Sequence, residues 1–359
     1  MGKTTDTDTD REDEDEDVDV DVNANTSTDT ETNTSVDIVT IGETMLRLSP
    51  PAGVRITQAD EFAVHVGGAE SNVAVIASQL GCETSWISKL PASPLGRRII
   101  TTLRGHDVEV DITWDESDNS RVGTYYFEPG GEPRGDSVHY DRAGSSVTTL
   151  SAAEISLETV RSASTCYMSG ITPALSETVQ TTVETVLQTA QSAGTQTAFD
   201  LNYRSKLWDT TAAAKAYRSL LPHIDILIGA ERDVEACLGL DADPESVVRE
   251  LASTFDLETV VLTRGESGAV ALYDDTIFEQ PVYNAETIDA VGTGDAFVGG
   301  FLARRLDNDH SNHNDIDDAL ATGAAAAAVK RTIKGDTAAI TPAEIAAVRD
   351  TDSSGSISR

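Results

Sequence analysis

Long apolar runs are absent from this 359-residue chain. None approaches the roughly 20 residues that a membrane-spanning helix needs, and the first residues contain no apolar signal core. The sequence therefore predicts a protein that stays out of membranes, is not exported by the usual route and works in the cytoplasm. Cysteine is scarce as well. Cys82, Cys166 and Cys237 are odd in number and far apart, which excludes a disulfide framework and a zinc spacing and leaves reduced, buried thiols. Positive charge is the third shortage: 26 Lys and Arg face 61 Asp and Glu, giving a net charge of −35, and only six of the 26 are lysine. Without a basic patch to neutralise phosphates, nucleic acid is excluded as a partner.

Such an acid excess repels itself and destabilises a compact fold in dilute buffer. In molar salt the Debye length falls to about 3 Å and the repulsion is screened, while surface carboxylates favour solubility. The composition thus points to a salt-adapted cytoplasm. Residues 1–35 concentrate the trend, with 13 acidic side chains against Lys3 and Arg11 and almost nothing apolar. A segment of that kind cannot offset its ordering entropy and is expected to be disordered, as are residues 351–359.

From Val36 onward the pattern changes. Val36 to Ile41 reads as a strand ending at Gly42, and Val73, Ile76, Ala77 and Leu80 recur at helical spacing before Gly81. Strand-then-helix units follow: Thr165 to Ser169 before a helix from about Ser176 to Ser192, Thr197 to Leu201 before Thr211 to Leu220, and Ile224 to Ile228 before Glu231 to Leu238. A helix from Pro244 to Thr254 then leads into Thr259 to Thr263. This alternation predicts an α/β protein with a mostly parallel sheet covered by helices on both faces. The stretch from about Arg104 to Val147 breaks the rhythm, with the short strands Gly123 to Phe127 and Ser137 to Tyr140 joined by a turn-rich segment and no helix between them.

The chemistry concentrates at Asp289-Ala290-Val291-Gly292-Thr293-Gly294-Asp295-Ala296-Phe297. A Gly-Thr-Gly turn opening a helix leaves backbone N–H groups unpaired at the positive end of the helix dipole, where an anion binds. A carboxylate beside that nest, Asp295, is placed to take a proton from a hydroxyl attacking phosphorus, while the amides of Gly292, Thr293 and Gly294 hold the moving phosphoryl group. On these residues alone a plain helix cap at Asp295 stands level with phosphate chemistry. The turn is neither a dinucleotide fingerprint nor a P-loop, since it lacks the third glycine of the one and the Gly-Lys-Ser/Thr of the other.

Residues 289–301 closely resemble the C-terminal signature of the ribokinase-like carbohydrate kinases, the phosphofructokinase-B family. Gly67-Gly68-Ala69-Glu70-Ser71-Asn72-Val73-Ala74 resembles the family's glycine pair and asparagine that meet sugar hydroxyls. Two motifs in the right order are far more specific than either alone, and the resemblance covers nearly everything after residue 36. It implies a ribokinase-like kinase domain over residues 36–350, ATP and Mg²⁺ as cofactors, and a small β-sheet lid built from segments near 43–64 and 104–147. Such a lid would exclude water and prevent loss of the phosphoryl group to hydrolysis. It implies sugar binding by Gly67, Gly68 and Asn72, and contact of Thr263, Gly265 and Gly268 with ATP phosphates, although the last three would equally form an ordinary hairpin turn. The alanine-rich run Gly323 to Ala328 resembles the helix near adenine. Family members carry Asn-x-x-Glu where this chain has Ala230 and Asp233, which leaves the metal to Asp233 or Glu231 through water.

Tyr125, Arg142 and Arg204, with Gly42 to Arg47, Ser169 to Pro173 and Phe199 to Trp208, look like the 2-keto-3-deoxygluconate kinases within the family. In that group the equivalents of these three side chains bind a sugar acid, and an arginine at the end of a central strand suits a carboxylate because its fork bonds in pairs; a surface ion pair is the plainer account of Arg204. The resemblance then implies phosphorylation of 2-keto-3-deoxygluconate to its 6-phosphate, in an Entner–Doudoroff-type route. A fructokinase acting on a neutral hexose and a silent sensor of sugar acid or nucleotide are the alternatives. Residue order does not separate the gluconate from the galactonate epimer. The family resemblance also allows a homo-oligomer, and His65, His106 and His139 have no metal spacing and read as structural.

Overall fold

The structure is a computed structural model describing residues 36–307 and 314–354. The expected disorder of residues 1–35 lies outside these. Residues 351–354, expected to be disordered, continue the last helix, and 355–359 fall outside the description.

Chain order runs β1 (Ile38–Ile41), β2 (Met45–Ser49), β3 (Ala63–Gly67), α1 (Ala69–Gln79), β4 (Thr84–Pro91), α2 (Pro94–Arg104), β5 (Glu109–Asp115), β6 (Thr124–Glu128) and β7 (Ser137–Asp141). It continues through α3 (Leu157–Ser162), β8 (Thr165–Ser169), α4 (Glu177–Ala193), β9 (Gln196–Asp200), α5 (Thr210–Leu220), β10 (Ile226–Ala230), α6 (Glu231–Leu238), α7 (Pro244–Phe255), β11 (Thr259–Thr263), β12 (Ala269–Tyr273) and β13 (Thr276–Gln280). The helices α8 (Thr293–Asp307), α9 (Asn314–Arg331) and α10 (Pro342–Ser354) close the chain. Caps of the expected kind set these limits: the Ser176 hydroxyl accepts from Val179 N, Asp243 accepts from Ser246 N ahead of Pro244, and Gly194 ends α4 in the left-handed conformation.

Nine strands form one sheet in the order β13-β12-β11-β10-β9-β8-β1-β4-β5. The seven from β11 to β5 are parallel, and the β11–β12 and β12–β13 pairs are antiparallel. Period-two alternation sorts the strand side chains between two cores. Val39, Ile41, Met168, Phe199, Leu227, Val260 and Leu262 pack with α3 to α7 on one face. Ile38, Tyr167, Ala198, Ile226, Ile228 and Val261 pack with α1, α8 and α9 on the other. Each fully buried aliphatic or aromatic side chain contributes about 1.5–3 kcal/mol.

The second sheet has four strands in the order β3-β2-β6-β7. It draws on 45–67 and 124–141; the first runs past the expected lid segment 43–64 because β3 continues to Gly67, and the second lies within the expected segment 104–147. Residues 109–115, counted in the second of those segments, belong elsewhere: β5 pairs in parallel with β4 and forms an edge of the large sheet. The strand expected over Ile224 to Ile228 lies two residues later, because Leu221-Pro222-His223 closes as a 3₁₀ turn first. From β1 the chain turns to β4 and β5 on one side, then returns to β8, β9, β10 and β11 on the other. Such a reversal of strand order opens a crevice beyond the carboxyl ends of the strands. Among the described residues, no helix is long and apolar enough to cross a membrane.

Candidate active site

Two cavities share that crevice. The larger, about 690 Å³, reaches from the β11–β12 turn to α9, and the smaller, about 450 Å³, lies between the strand ends and the small sheet. Ala230, Arg232, Thr263, Ala290, Thr293 and Gly294 line both.

The glycine turn stands at this junction. Gly292 has a φ of +81°, and a Cβ on it would lie 2.3 Å from the Asp336 carbonyl oxygen, so glycine is required twice over. Thr293 N donates to Ala290 O at 3.3 Å and Ala296 N to Gly292 O at 2.9 Å. Among the described residues the amides of Gly292, Gly294 and Asp295 have no acceptor in the protein. The unpaired donors of the turn are therefore these three; the amide of Thr293, expected among them, is already bonded.

Asp295 is the third residue of α8, yet no backbone N–H among the described residues bonds its carboxylate. Instead Asn72 Nδ2 donates to Asp295 Oδ2 at 2.7 Å, which removes the helix-cap reading. Asn72 is oriented in turn by Thr337 Oγ1, which donates to Asn72 Oδ1 at 3.3 Å. Burial pushes the Asp295 carboxyl above its ordinary range, opposed by the Asn72 hydrogen bond and the Arg204 charge. It is half-buried, at the wall of the smaller cavity.

Gly67, Gly68, Asn72, Tyr125, Arg142 and Arg204, the expected acceptor-binding residues, all line the smaller cavity. Close packing accounts for the glycines: a Cβ on Gly67 would lie 2.3 Å from Asp336 Cβ, and one on Gly68 2.0 Å from Glu43 O. The three polar side chains differ in availability. Arg142 is buried and its guanidinium bonds Glu43, whose other oxygen accepts from Ser145 Oγ at 2.5 Å. The Tyr125 hydroxyl donates to Asp336. Arg204 forms no hydrogen bond or ion pair among the described residues, so its charge is free for a ligand. Two further residues of its segment line the cavity, Asp200 and Asn202. Burial and the nearby Asp295 charge push the Asp200 carboxyl up to about 7.

Behind the turn lies a buried ionic cluster. Arg47 bonds Asp289 at 2.8 Å and Asp336 at 3.4 Å, stacks on Phe127 at 4.1 Å, and is 3% exposed in its side chain. Lys330 Nζ donates to the carbonyls of Asp289 and Ile333 at 3.3 and 3.0 Å. Glu70 is also fully buried; its Oε1 accepts from Ser169 N, Ser169 Oγ and Thr172 Oγ1 at 3.0, 2.7 and 2.5 Å, pinning the β8 loop to α1. Sequence reasoning missed Asp336, Asp200 and this use of Arg47. A charged residue ending the apolar strand Thr197-Ala198-Phe199 was the one available signal, and it marked Asp200.

Thr263, Gly265 and Gly268 line the larger cavity while also forming the β11–β12 hairpin turn, so both readings of them hold for placement. Ala324, Ala327 and Ala328 of the alanine-rich helix line it too, with Tyr283 and Arg331. Among the described residues no cluster of three His, Cys, Asp or Glu could hold a metal ion. A nucleotide-borne Mg²⁺ does not need one, since it keeps waters and takes one or two carboxylates besides phosphates. Glu231 lines the larger cavity and Asp233 the smaller, one on each side of the junction, which fits such an ion. His65 abuts Gly335, His106 shares a hydrogen bond with Gln79 and His139 one with Ser137.

The chain belongs to the pfkB family of carbohydrate kinases, whose sequence profile matches residues 35–343. Among its relatives, the 2-dehydro-3-deoxygalactonokinase of Haloferax volcanii is 53% identical over 311 residues, 87% of this chain and 96% of that protein. Fructokinase-1 of Oryza sativa subsp. japonica is 27% identical over 304 residues, 83% of this chain and 92% of that one. The crystal structure of 2-dehydro-3-deoxygluconokinase from Thermotoga maritima superposes with a TM-score of 0.81 at 30% identity, covering 88% of this chain and 98% of that chain. The fold is ribokinase-like.

Proposed function

We propose that this kinase transfers the γ-phosphoryl group of ATP to the primary hydroxyl of a 2-keto-3-deoxy sugar acid, giving the 6-phosphate. The observation that carries this is Arg204, an uncommitted cation in the acceptor cavity, beside Asp295 and the open amides of the turn. Its planar fork suits a carboxylate, which a neutral hexose lacks. The 53% identity to a galactonate-epimer kinase supports placing 2-keto-3-deoxygalactonate (the 2-dehydro acid under its other name) ahead of the gluconate.

Asp295 takes the proton of the attacking hydroxyl, which Asn72 helps to orient by holding the carboxylate. The amides of Gly292, Gly294 and Asp295 receive the phosphoryl oxygens, and the backbone at Gly67 and Gly68, packed against Asp336 and Glu43, forms part of the acceptor wall. Thr263, Gly265 and Gly268 border the triphosphate in the larger cavity. Glu231 and Asp233 would hold a nucleotide-borne Mg²⁺ through water, and the ion would neutralise charge on the phosphate oxygens. The small sheet serves as the cover that keeps water from the reacting centre. The surplus of carboxylates supports a salt-rich cytoplasm as the working medium.

A coupled ADP-release assay in molar KCl tests the reading, with the two keto-acid epimers and fructose compared side by side. Turnover of either acid well above fructose supports it. Equal use of fructose would move the assignment to a neutral-sugar kinase, a reading favoured by the 27% identical fructokinase. No turnover with any sugar would favour a silent sensor, to which Ala230 in place of the family's asparagine points.

A further inference from the structure

We propose that Arg232 is a catalytic residue of this phosphoryl transfer, a mobile cation that holds the γ-phosphoryl group as it crosses from the nucleotide cavity to the acceptor. The assignment rests on the kinase reading above and adds to it a positive side chain at the junction of the two cavities.

Five arginines line the two cavities: Arg142 and Arg204 the smaller, Arg264 and Arg331 the larger, and Arg232 both. No lysine lines either. Arg142 is committed to Glu43, and Arg331 Nη2 donates to Tyr283 O at 2.8 Å. Of the five, only Arg232 lines both cavities and so borders the passage between them. It is the second residue of α6, directly after the strand that ends at Ala230. Its side chain is 79% exposed, held only by Nε facing Asp233 Oδ1 at 3.5 Å, so both terminal nitrogens are free among the described residues. Asp233 is anchored separately, since its Oδ2 accepts from Tyr203 N at 3.2 Å.

Electrostatics call for a cation here. Asp200, Asp233, Asp295 and Asp336 line the acceptor cavity, and Asp336 is paired with Arg47. Apart from Arg232, only Arg204 among the cavity's arginines is unbonded, so the acids there outnumber the free cations facing an incoming phosphoryl group. In the transfer the bond from phosphorus to the bridging oxygen of ADP breaks, with its electron pair going to ADP. A bond from the acceptor oxygen forms, and that oxygen's proton goes to Asp295. Charge spreads meanwhile over three equatorial oxygens. The open amides of the turn serve them from one wall of the junction and the Arg232 fork from the strand-end wall. In molar salt the exposed Arg232–Asp233 pair is weak, so little is lost on releasing it, and closure of a filled site strengthens the new contact.

The test is Arg232→Gln and Arg232→Lys in the full chain, with the sugar acid that wild type uses best. Because the side chain is exposed, thermal unfolding should match wild type. We expect kcat to fall about 10²- to 10³-fold for Gln, as for loss of one transition-state donor, with KM for the acid within twofold and partial recovery in Lys. Calorimetric titration with ADP and aluminium fluoride, a mimic of the phosphoryl in flight, should weaken by a similar factor, while ADP alone changes less than threefold. If Gln retains kcat within threefold while wild type is active, the role of Arg232 is overturned and the kinase reading stands. If ADP alone weakens as much as the mimic, Arg232 only grips nucleotide and the proposal fails. A wild type that phosphorylates no sugar overturns both.

Discussion

Asn72 and Asp295, 223 residues apart in sequence, meet through one hydrogen bond of 2.7 Å from amide to carboxylate. That bond stabilises the ionised carboxylate against the burial that disfavours it. Removing it with Asn72→Ala should raise the Asp295 pKa further. The acid limb of the kcat/KM profile then moves to higher pH, because the base must be ionised to work. A profile superimposable on wild type would refute the coupling.

Asp295→Asn keeps the shape and removes the base. It should lower kcat about 10²- to 10⁴-fold with binding of both substrates largely kept. Turnover within tenfold of wild type would mean that another group accepts the proton.

Arg204→Met tests the acid-recognition argument. Loss of a hydrogen bond to a charged group costs about 1.5–3 kcal/mol, so kcat/KM for the keto-acid should drop about 10- to 150-fold. A neutral sugar should lose far less; equal losses would show that Arg204 does not read the carboxylate.

Asp200 makes stability depend on pH in a predictable direction. Its folded carboxyl is pushed up to about 7 from an ordinary 3.8. The native state therefore holds this proton more tightly than the unfolded chain, and the resulting stability is complete below the ordinary value and lost as pH rises through about 7. Asp200→Asn should remove that loss. The variant's unfolding free energy should gain on wild type by up to about 1.4 kcal/mol per pH unit across the interval. Parallel urea unfolding curves at pH 5 and pH 8 would contradict it.

The Arg47–Asp289 pair is nearly solvent-free, with side-chain exposures of 3% and 6%. Asp289→Ala would leave Arg47 half-neutralised in the interior, at a cost of about 3–5 kcal/mol. Urea unfolding in molar KCl measures it, and a loss below 1 kcal/mol would show that Asp336 alone suffices.

Much of the architecture was legible because it is written in short-range periodicity. The helix expected from about Ser176 to Ser192 occupies Glu177–Ala193, and the one from Pro244 to Thr254 occupies Pro244–Phe255, since Ser176, Gly194 and Asp243 cap them as residues of those types do. Strand β4 and helix α2 were not read: β4 is buried nearly throughout, so Thr84 to Pro91 shows no alternation. The site was legible where a motif carries local geometry, as at Gly292 to Asp295. Where function depends on pairing across the chain it was not. Nothing near Arg142 announces that Glu43, 99 residues away, neutralises it, or near Tyr125 that its hydroxyl belongs to Asp336. The Arg204 side chain makes no hydrogen bond or ion pair among the described residues, yet its charge is felt by Asp200, Asp233 and Asp295, a grouping that its neighbours in the chain do not show.

Arg47 lies on β2 and Tyr125 on β6, both in the small sheet, while Asp289 precedes the glycine turn and Asp336 follows α9. The small sheet is thus tied to the segments beside the glycine turn and after α9 by the Arg47 ion pairs and the Tyr125 hydrogen bond. Separating the two would leave the buried Arg47 without a partner and two carboxylates without their cation. The looser margin of the small sheet is its β7 edge, the most exposed of its strands, which pairs with β6 alone and is otherwise tied by Arg121 on Asp141 and Lys206 on the Val138 carbonyl.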